Sequence, residues 1–300
     1  MENLYKKPCF GTLKSWMFLL FGIAFQLALS GQTVKLEQAQ NGGVGLPPVS
    51  PVTWTGGNAS ESSSHYKEGQ SIPYRIVISN LSAGTHTLVI GWDIRNSSKS
   101  AIDYITGFQR IDERVNPLSG LSGAFSTPQL VPIPAPARNT AAIGLFGTQQ
   151  MPISSFNRVP ATDRNLSIYN ATVTEAPVYS EGDPTTSTAE TRLTIKFTVT
   201  GSGKTVVLSW GGHLASRLDW GGNNTSGDIN GSPYHTRFIS LNGKGGNQDR
   251  SCKVAAVYFI PACSITGPVD VCQSSQTAYT AQTDAPNPIF TWTVNGGTIV

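Results

Sequence analysis

The sequence predicts an all-β protein, and three observations carry that expectation. Charged residues make up only 13% of 300 residues, while Gly and Pro number 31 and 19. That balance suits many short strands joined by tight turns. Runs rich in β-branched and aromatic residues recur at 72–79, 85–94 and 192–210, and in the last of them Leu193, Ile195, Phe197 and Val199 alternate with Thr194, Lys196 and Thr198. Alternation with period two marks a strand with one face buried. The triplets Ser82-Ala83-Gly84 and Gly201-Ser202-Gly203 break these runs and predict hairpins. With 39% hydrophobic residues the chain can bury a core, which argues against disorder.

The first 30 residues read as a secretory signal peptide. Lys6, Lys7 and Lys14 form a basic region, and an apolar run follows at 16–29 with Gln26 as its polar interruption. Ala28 and Ser30 then supply a small-residue cleavage site, which makes Gly31 the new N-terminus. A retained membrane anchor is the competing reading, but the run falls short of the roughly 20 residues a spanning helix needs. The expectation is a secreted or cell-surface protein with no transmembrane anchor in the mature chain. Removing the signal takes away three Lys and one Glu from totals of 21 basic and 18 acidic residues, leaving a net charge of +1. Without a basic stripe, nucleic acid is excluded as a partner. Export permits disulfides. Cys263 with Cys272 is the favoured pair, closing a short loop around Gly267-Pro268, and Cys252 with Cys263 competes.

Residues 31–261 are expected to form a β-sandwich body. Its first part, 31–70, is polar and turn-rich with one strand at 52–55, and a further strand is expected at 101–111. A Pro/Gly-rich excursion covers 116–160, and its Leu145, Phe146, Met151 and Phe156 suggest that it packs onto the body. Strand signals resume at 234–241 and 253–260. After Pro261 a new unit begins, with strands at 277–281 and 289–294 and a turn at Asn295-Gly296-Gly297. Too few strands are present to bury a face, so 262–300 is expected to be the first half of a further domain in a longer chain.

That last segment carries Cys263-Ser264-Ile265-Thr266-Gly267-Pro268, Val271-Cys272, Tyr279 and Phe290-Thr291-Trp292-Thr293-Val294 followed by Gly296-Gly297. In these residues it resembles the PKD-like, Ig-like repeats of exported Bacteroidetes surface proteins. The body resembles the N-terminal β region that precedes such repeats, through Asp103-Tyr104-Ile105-Thr106, Trp210-Gly211-Gly212-His213-Leu214-Ala215, Asp219-Trp220-Gly221 and Gly231-Ser232-Pro233-Tyr234-His235. The resemblance implies export, often by the type IX secretion route, and an Ig-like sandwich for the last segment.

The densest polar constellation is His213, Arg217, Asp219, Asp228 and His235, interleaved with Trp210, Trp220 and Tyr234. Aromatic faces that stack on sugar rings, beside His and Asp side chains that hydrogen-bond to hydroxyls, suit glycan recognition. The ligand-binding set is then Trp210, His213, Asp219, Trp220, Tyr234 and His235. The competing reading is a Gly-rich loop stitched to the sheet by its own bonds. Calcium is a further candidate through Asp219, Asn223, Asp228 and Asn230, since it wants six to eight oxygens, although Asx turns explain the same residues. No Gly-x-Ser-x-Gly elbow or His-Glu-x-x-His helix is present. Asp112, Glu113, Glu175 and Glu190 read as solvent-facing charges, so no catalytic residue is assigned. The expected function is binding and adhesion, toward a glycan or a surface protein, without catalysis. The alternatives are a carbohydrate-binding accessory region of a larger secreted enzyme and a structural stalk.

Overall fold

The computed structural model describes residues 31–246, 248–259, 261, 263–283, 285 and 288–300. Residues 1–30, where the signal peptide and its cleavage site at Ser30 are expected, lie outside the described residues. Of the two units Met1–Gly31 and Gln32–Val300, the second carries the fold.

β1 (Thr33–Gln40) and β2 (Thr53–Thr55) open it, and a short β3 (Tyr66–Lys67) precedes the long β4 (Ser71–Leu81) and β5 (Gly84–Asn96). β6 (Lys99–Ser100) and β7 (Ile102–Thr106) follow, then β8 (Gln129–Pro132). The hairpin of β9 (Thr140–Gly144) and β10 (Gly147–Met151) leads to α1 (Ile153–Arg158). β11 (Asn165–Tyr169), β12 (Thr172–Val173) and β13 (Val178–Ser180) come before a second long pair, β14 (Ala189–Val199) and β15 (Lys204–Leu214). After the single turn α2 (Arg217–Trp220) come β16 (Tyr234–Leu241), β17 (Gln248–Cys252) and β18 (Val257–Tyr258). A hairpin of β19 (Cys263–Thr266) and β20 (Thr280–Thr283) ends the series.

One seven-stranded sheet runs β2-β1-β4-β15-β11-β8, with β7 added on β15. The other runs β12-β14-β5-β16-β17, with β13 on β14 and β6 on β5. Their inner faces share one core. Tyr74, Ile76 and Ile78 of β4 belong to it with Leu88 and Ile90 of β5 and Leu193 and Ile195 of β14, all fully buried. Each such side chain contributes about 1.5–3 kcal/mol. The body is an all-β sandwich, as expected.

The two turn triplets do not make hairpins. β4 lies in the first sheet and β5 in the second, and β14 and β15 divide the same way. Each triplet is therefore an arch from one sheet to the other, and the pairing is β4 with β15 and β5 with β14. The arches touch, since Ala83 N–H donates to Ser202 Oγ (3.3 Å) and Gly203 N–H to the Leu81 carbonyl (2.9 Å). Alternation reports which face of a strand is buried, and two facing sheets give both arms of an arch the same pattern.

The 116–160 excursion holds β8, β9, β10 and α1 rather than irregular chain throughout. Met151 and Phe156 are buried as expected, whereas Leu145 and Phe146 are exposed. Leu118, Leu121 and Phe125 pack on Val77, Tyr169 and Val207 of the first sheet. That cover explains why β4 is buried on consecutive residues instead of alternate ones. The strand expected at 253–260 is a 3-10 turn, Val254–Ala256, followed by the two-residue β18. Residues 289–294 form no strand, and the described residues of 263–300 are almost all exposed.

The favoured disulfide is not formed: Cys263 and Cys272 are free and exposed, and Cys252 is free and buried. Pairing of β19 with β20 sets Cys263 opposite Thr283. The strand thus carries Cys263 away from the connecting loop that holds Cys272, and a bridge needs the two backbones within about 7 Å. Among the described residues no helix is long and apolar enough to cross a membrane.

Candidate functional site

β7 and β15 build the floor of a cleft of about 220 Å³ at one end of the body. The two strands approach closely because Gly211 has no side chain: a Cβ there would press on the Gly107 carbonyl (2.6 Å) and the Thr106 hydroxyl (2.7 Å). His213 follows in β15 and lies across from Tyr104 in β7. Its ring stacks on Tyr104, with centroids 4.1 Å apart and planes 11° from parallel. Its Nδ1 is 2.7 Å from Asp103 Oδ1. A carboxylate only accepts, so Nδ1 carries a proton, and the ring lines the cleft. Asp103 Oδ2 accepts the Trp220 indole N–H at 2.8 Å. Both oxygens of this buried carboxylate are thereby used.

A second set of bonds fixes the cleft wall. Tyr104 and Ser155 share a hydrogen bond of 2.9 Å, and Ser155 donates to Asp219 Oδ2 at 2.8 Å. Ser216 donates to the same oxygen at 3.1 Å, while Arg158 pairs with Oδ1. Glu68 accepts from the Arg217 backbone N–H (3.0 Å) and guanidinium Nε (3.1 Å). Arg110 donates to Asp163 at 2.9 Å. Phe146 lies beneath the Arg158 guanidinium, 4.6 Å from its centroid, and lines the cleft with Leu218. The β9–β10 hairpin that carries Phe146 docks on α2 through Leu145 N–H to the Leu218 carbonyl (2.8 Å). Gly144 permits this contact, since a Cβ there would collide with the carbonyls of Leu218 and Asp219. Every charged group of the cleft is held in place by a partner, so the surface is preorganised.

Comparison of the chain with protein-family models, with curated proteins and with solved structures finds no match. The site is therefore read from its own geometry.

Three of the six expected ligand residues meet here: His213 and Asp219 line the cleft, and Trp220 anchors Asp103 behind it. Trp210 and Tyr234 do not. Both are fully buried in the core, where Trp210 stacks on Tyr74 at 5.8 Å, because the pleat of β15 and β16 turns them inward. Neither ring can touch a ligand. His235 belongs to a separate cluster on the second sheet, with Asp93, Arg237 and Glu190.

The expected calcium ligands are scattered or occupied. Asp219 is committed to Arg158 and two serines, Asp228 accepts from Thr225 and faces Arg217, and Asn223 and Asn230 are exposed. Among the described residues no three His, Cys, Asp or Glu side chains are grouped to hold a metal ion. Glu113, expected to face solvent, is buried beside Asn41 and His65. Glu68, Arg110, Ser155 and Arg158 were not foreseen as site residues. Asp103 did carry a signal, as the lone charge in the apolar run Ile102–Thr106.

The His235 cluster makes a pH prediction. Burial works against the charge of Asp93. Hydrogen bonds from His235 and Arg237, with the Arg237 charge, outweigh it and hold its carboxyl below the ordinary value. The stability this contributes is present above the unfolded value of about 3.9 and is lost as pH falls through the lower folded value. Asp93→Asn should be less stable than wild type at neutral pH in urea titrations. The gap should narrow only as pH falls below about 4; a gap that did not narrow on further acidification would assign the effect to shape instead of charge.

Proposed function

We propose that the protein is an exported binding protein whose cleft takes a small polar ligand of the sugar class, without catalysis. The observation that carries this reading is the set of fixed planar polar side chains, Glu68, Arg110, Arg158, His213 and Asp219, in a cleft edged by the exposed ring of Phe146. Ring hydroxyls are recognised by such groups, and an aromatic face supplies the apolar contact. The signal pattern and the resemblance of 262–300 to surface-protein repeats favour export and display at the cell surface or in the medium, with adhesion as the role.

The test is a glycan array probed with the full chain, with and without calcium. A specific glycan should bind, and Arg158→Ala should weaken it about tenfold or more, the effect of losing a charged hydrogen-bond donor. Arg158 is partly exposed, so the variant should fold. Calcium dependence would return the Asp219–Asn230 loop to consideration. A blank array from folded protein would overturn the sugar reading and leave a protein-binding or structural module.

A further inference from the structure

The β9–β10 hairpin holds to the body by one face. Ala142 and Met151 are buried on that face, in a small core shared with Ala215 and Trp220. Strand alternation turns Ile143 the other way, and it is 72% exposed. At the turn of the hairpin Leu145 is 65% and Phe146 53% exposed. Leu218 of α2 is 37% exposed, and the bond from the Leu145 N–H to its carbonyl sets the two residues side by side. No residue from 139 to 150 carries a charge. Single apolar side chains on a surface need no explanation, whereas a group of them at the mouth of a cleft marks a contact site.

Phe146 and Leu218 belong to both surfaces, since they also line the cleft. The cleft is otherwise lined mainly by polar side chains, among them Arg110, Ser155, Arg158, His213 and Asp219. Its polarity therefore changes at one lip, and the apolar side continues outward from Phe146 and Leu218 onto Leu145. A ligand that leaves the cleft across this lip meets polar groups first and apolar ones after. A sugar alone uses the first part and leaves the lip in water. A sugar joined to an alkyl chain covers both, and burying its methylenes on the lip is favourable.

We propose that the cleft ligand is an amphiphile of the glycolipid kind, with its sugar head in the cleft and the first part of its alkyl chain across Phe146, Leu218 and Leu145. The inference rests on the cleft reading and narrows the ligand class within it.

The test is NMR titration of the full chain with methyl, butyl, hexyl and octyl β-glycosides of glucose, galactose and mannose, each kept below its micelle concentration. At least one sugar should bind, and its octyl form should bind about tenfold or more tighter than its methyl form, since a buried methylene contributes up to about fourfold. Octyl sulfobetaine, which has the chain without the sugar, should bind more weakly than the octyl glycoside. Leu145→Ser changes an exposed side chain, so the fold should be preserved while the octyl-to-methyl ratio falls about threefold or more. Arg158→Ala should weaken both forms alike and leave that ratio as it is. Affinity that does not rise with chain length overturns the proposal, and is the result expected of a lip that serves a protein partner. So does octyl sulfobetaine binding as tightly as the glycosides, or a ratio that Leu145→Ser leaves unchanged. Phosphatidylcholine vesicles carrying glucosylceramide or galactosylceramide separate the two sources of such a ligand. Capture of the protein assigns a lipid held in a membrane, and binding of the soluble glycosides alone assigns a free amphiphile. Methyl and octyl forms bound equally, with Arg158 required, remove this inference and keep the cleft reading. A blank glycan array with no glycoside bound removes the cleft reading and this one with it.

Discussion

Replacing Arg75 with Ala should lower the unfolding free energy by about 3–5 kcal/mol, the range for removing one partner of a buried ion pair. Arg75 is 3% exposed on the outer face of the first sheet, opposite Glu37 in the register of β1 and β4. Its Nε and Nη2 both reach Glu37 Oε2, at 2.8 and 2.7 Å. Its Nη1 donates to the carbonyls of Pro117 (2.8 Å) and Ser119 (2.7 Å), and its guanidinium lies 4.6 Å from the Trp54 ring centre. The variant leaves a buried carboxylate and two loop carbonyls without their donor. Urea denaturation gives the loss directly, and limited proteolysis should show earlier cutting near residue 118. A double change, Arg75→Met with Glu37→Leu, should recover much of the loss, because the penalty lies in a buried carboxylate left with only the exposed Lys35, 3.6 Å away, as partner. A loss below about 1 kcal/mol for the single change would show that the pair is as weak as a surface bridge.

Asp103→Ala should have the next largest effect, about 2–6 kcal/mol. It strands two buried donors, His213 Nδ1 and Trp220 Nε1, at about 1–3 kcal/mol each. Asp103→Asn keeps the shape and one accepting oxygen but turns an NH₂ toward a donor, so it should fall between wild type and Ala. Combining Asp103→Ala with Trp220→Phe should cost less than the sum of the two, since the second change removes one of the stranded donors. Thermal or urea unfolding of the four proteins closes this cycle. Strict additivity would mean that the indole and carboxylate do not interact. Glycan affinity should fall along with stability in Asp103→Ala, because the His213 ring loses the bond that orients it toward the cleft.

The class of fold was legible in the chain because β14 alternates cleanly between Leu193, Ile195 and Phe197 inside and Thr194 and Lys196 outside. The order of strands within the sheets was not. Gly84 and Gly201 mark turns in the chain, with positive φ of 127° and 86°, but a turn does not say whether the chain comes back beside itself or crosses to the facing sheet. β1 escaped notice for a related reason. Its Lys35, Glu37, Gln38 and Gln40 read as loop until Glu37 is seen to answer Arg75 and Gln38 to bond the carbonyls of Gly57 and Ser251. In the site, His213, Asp219 and Trp220 come from one stretch and were found together. Asp103, Ser155 and Glu68 arrive from three other places along the chain, and no spacing rule links them. The aromatic residues among the polar ones misled, because Trp210 and Tyr234 serve the core and not the surface.

The arches, and the clasp between the first and last strands of the sandwich, set the order in which the body can assemble. Arg250 Nε donates to the Leu36 carbonyl and Gln248 Nε2 to the Val34 carbonyl, each across 214 residues of chain. Ser209 reaches the Tyr74 carbonyl across 135. Neither arch joins strands that pair with each other, so β4, β5, β14 and β15 find their long-range partners only across the chain. Loop closure on this scale precedes any reward from strand contacts, and such topologies belong to the slow end of folding rates. A chain threaded outward from its N-terminus can pair β1 with β2 and β4 early, but it leaves the other edge of β4 unpaired until β15 has emerged, and β17 follows to close the side. During that interval the exposed strand edges are what a holding chaperone would need to cover.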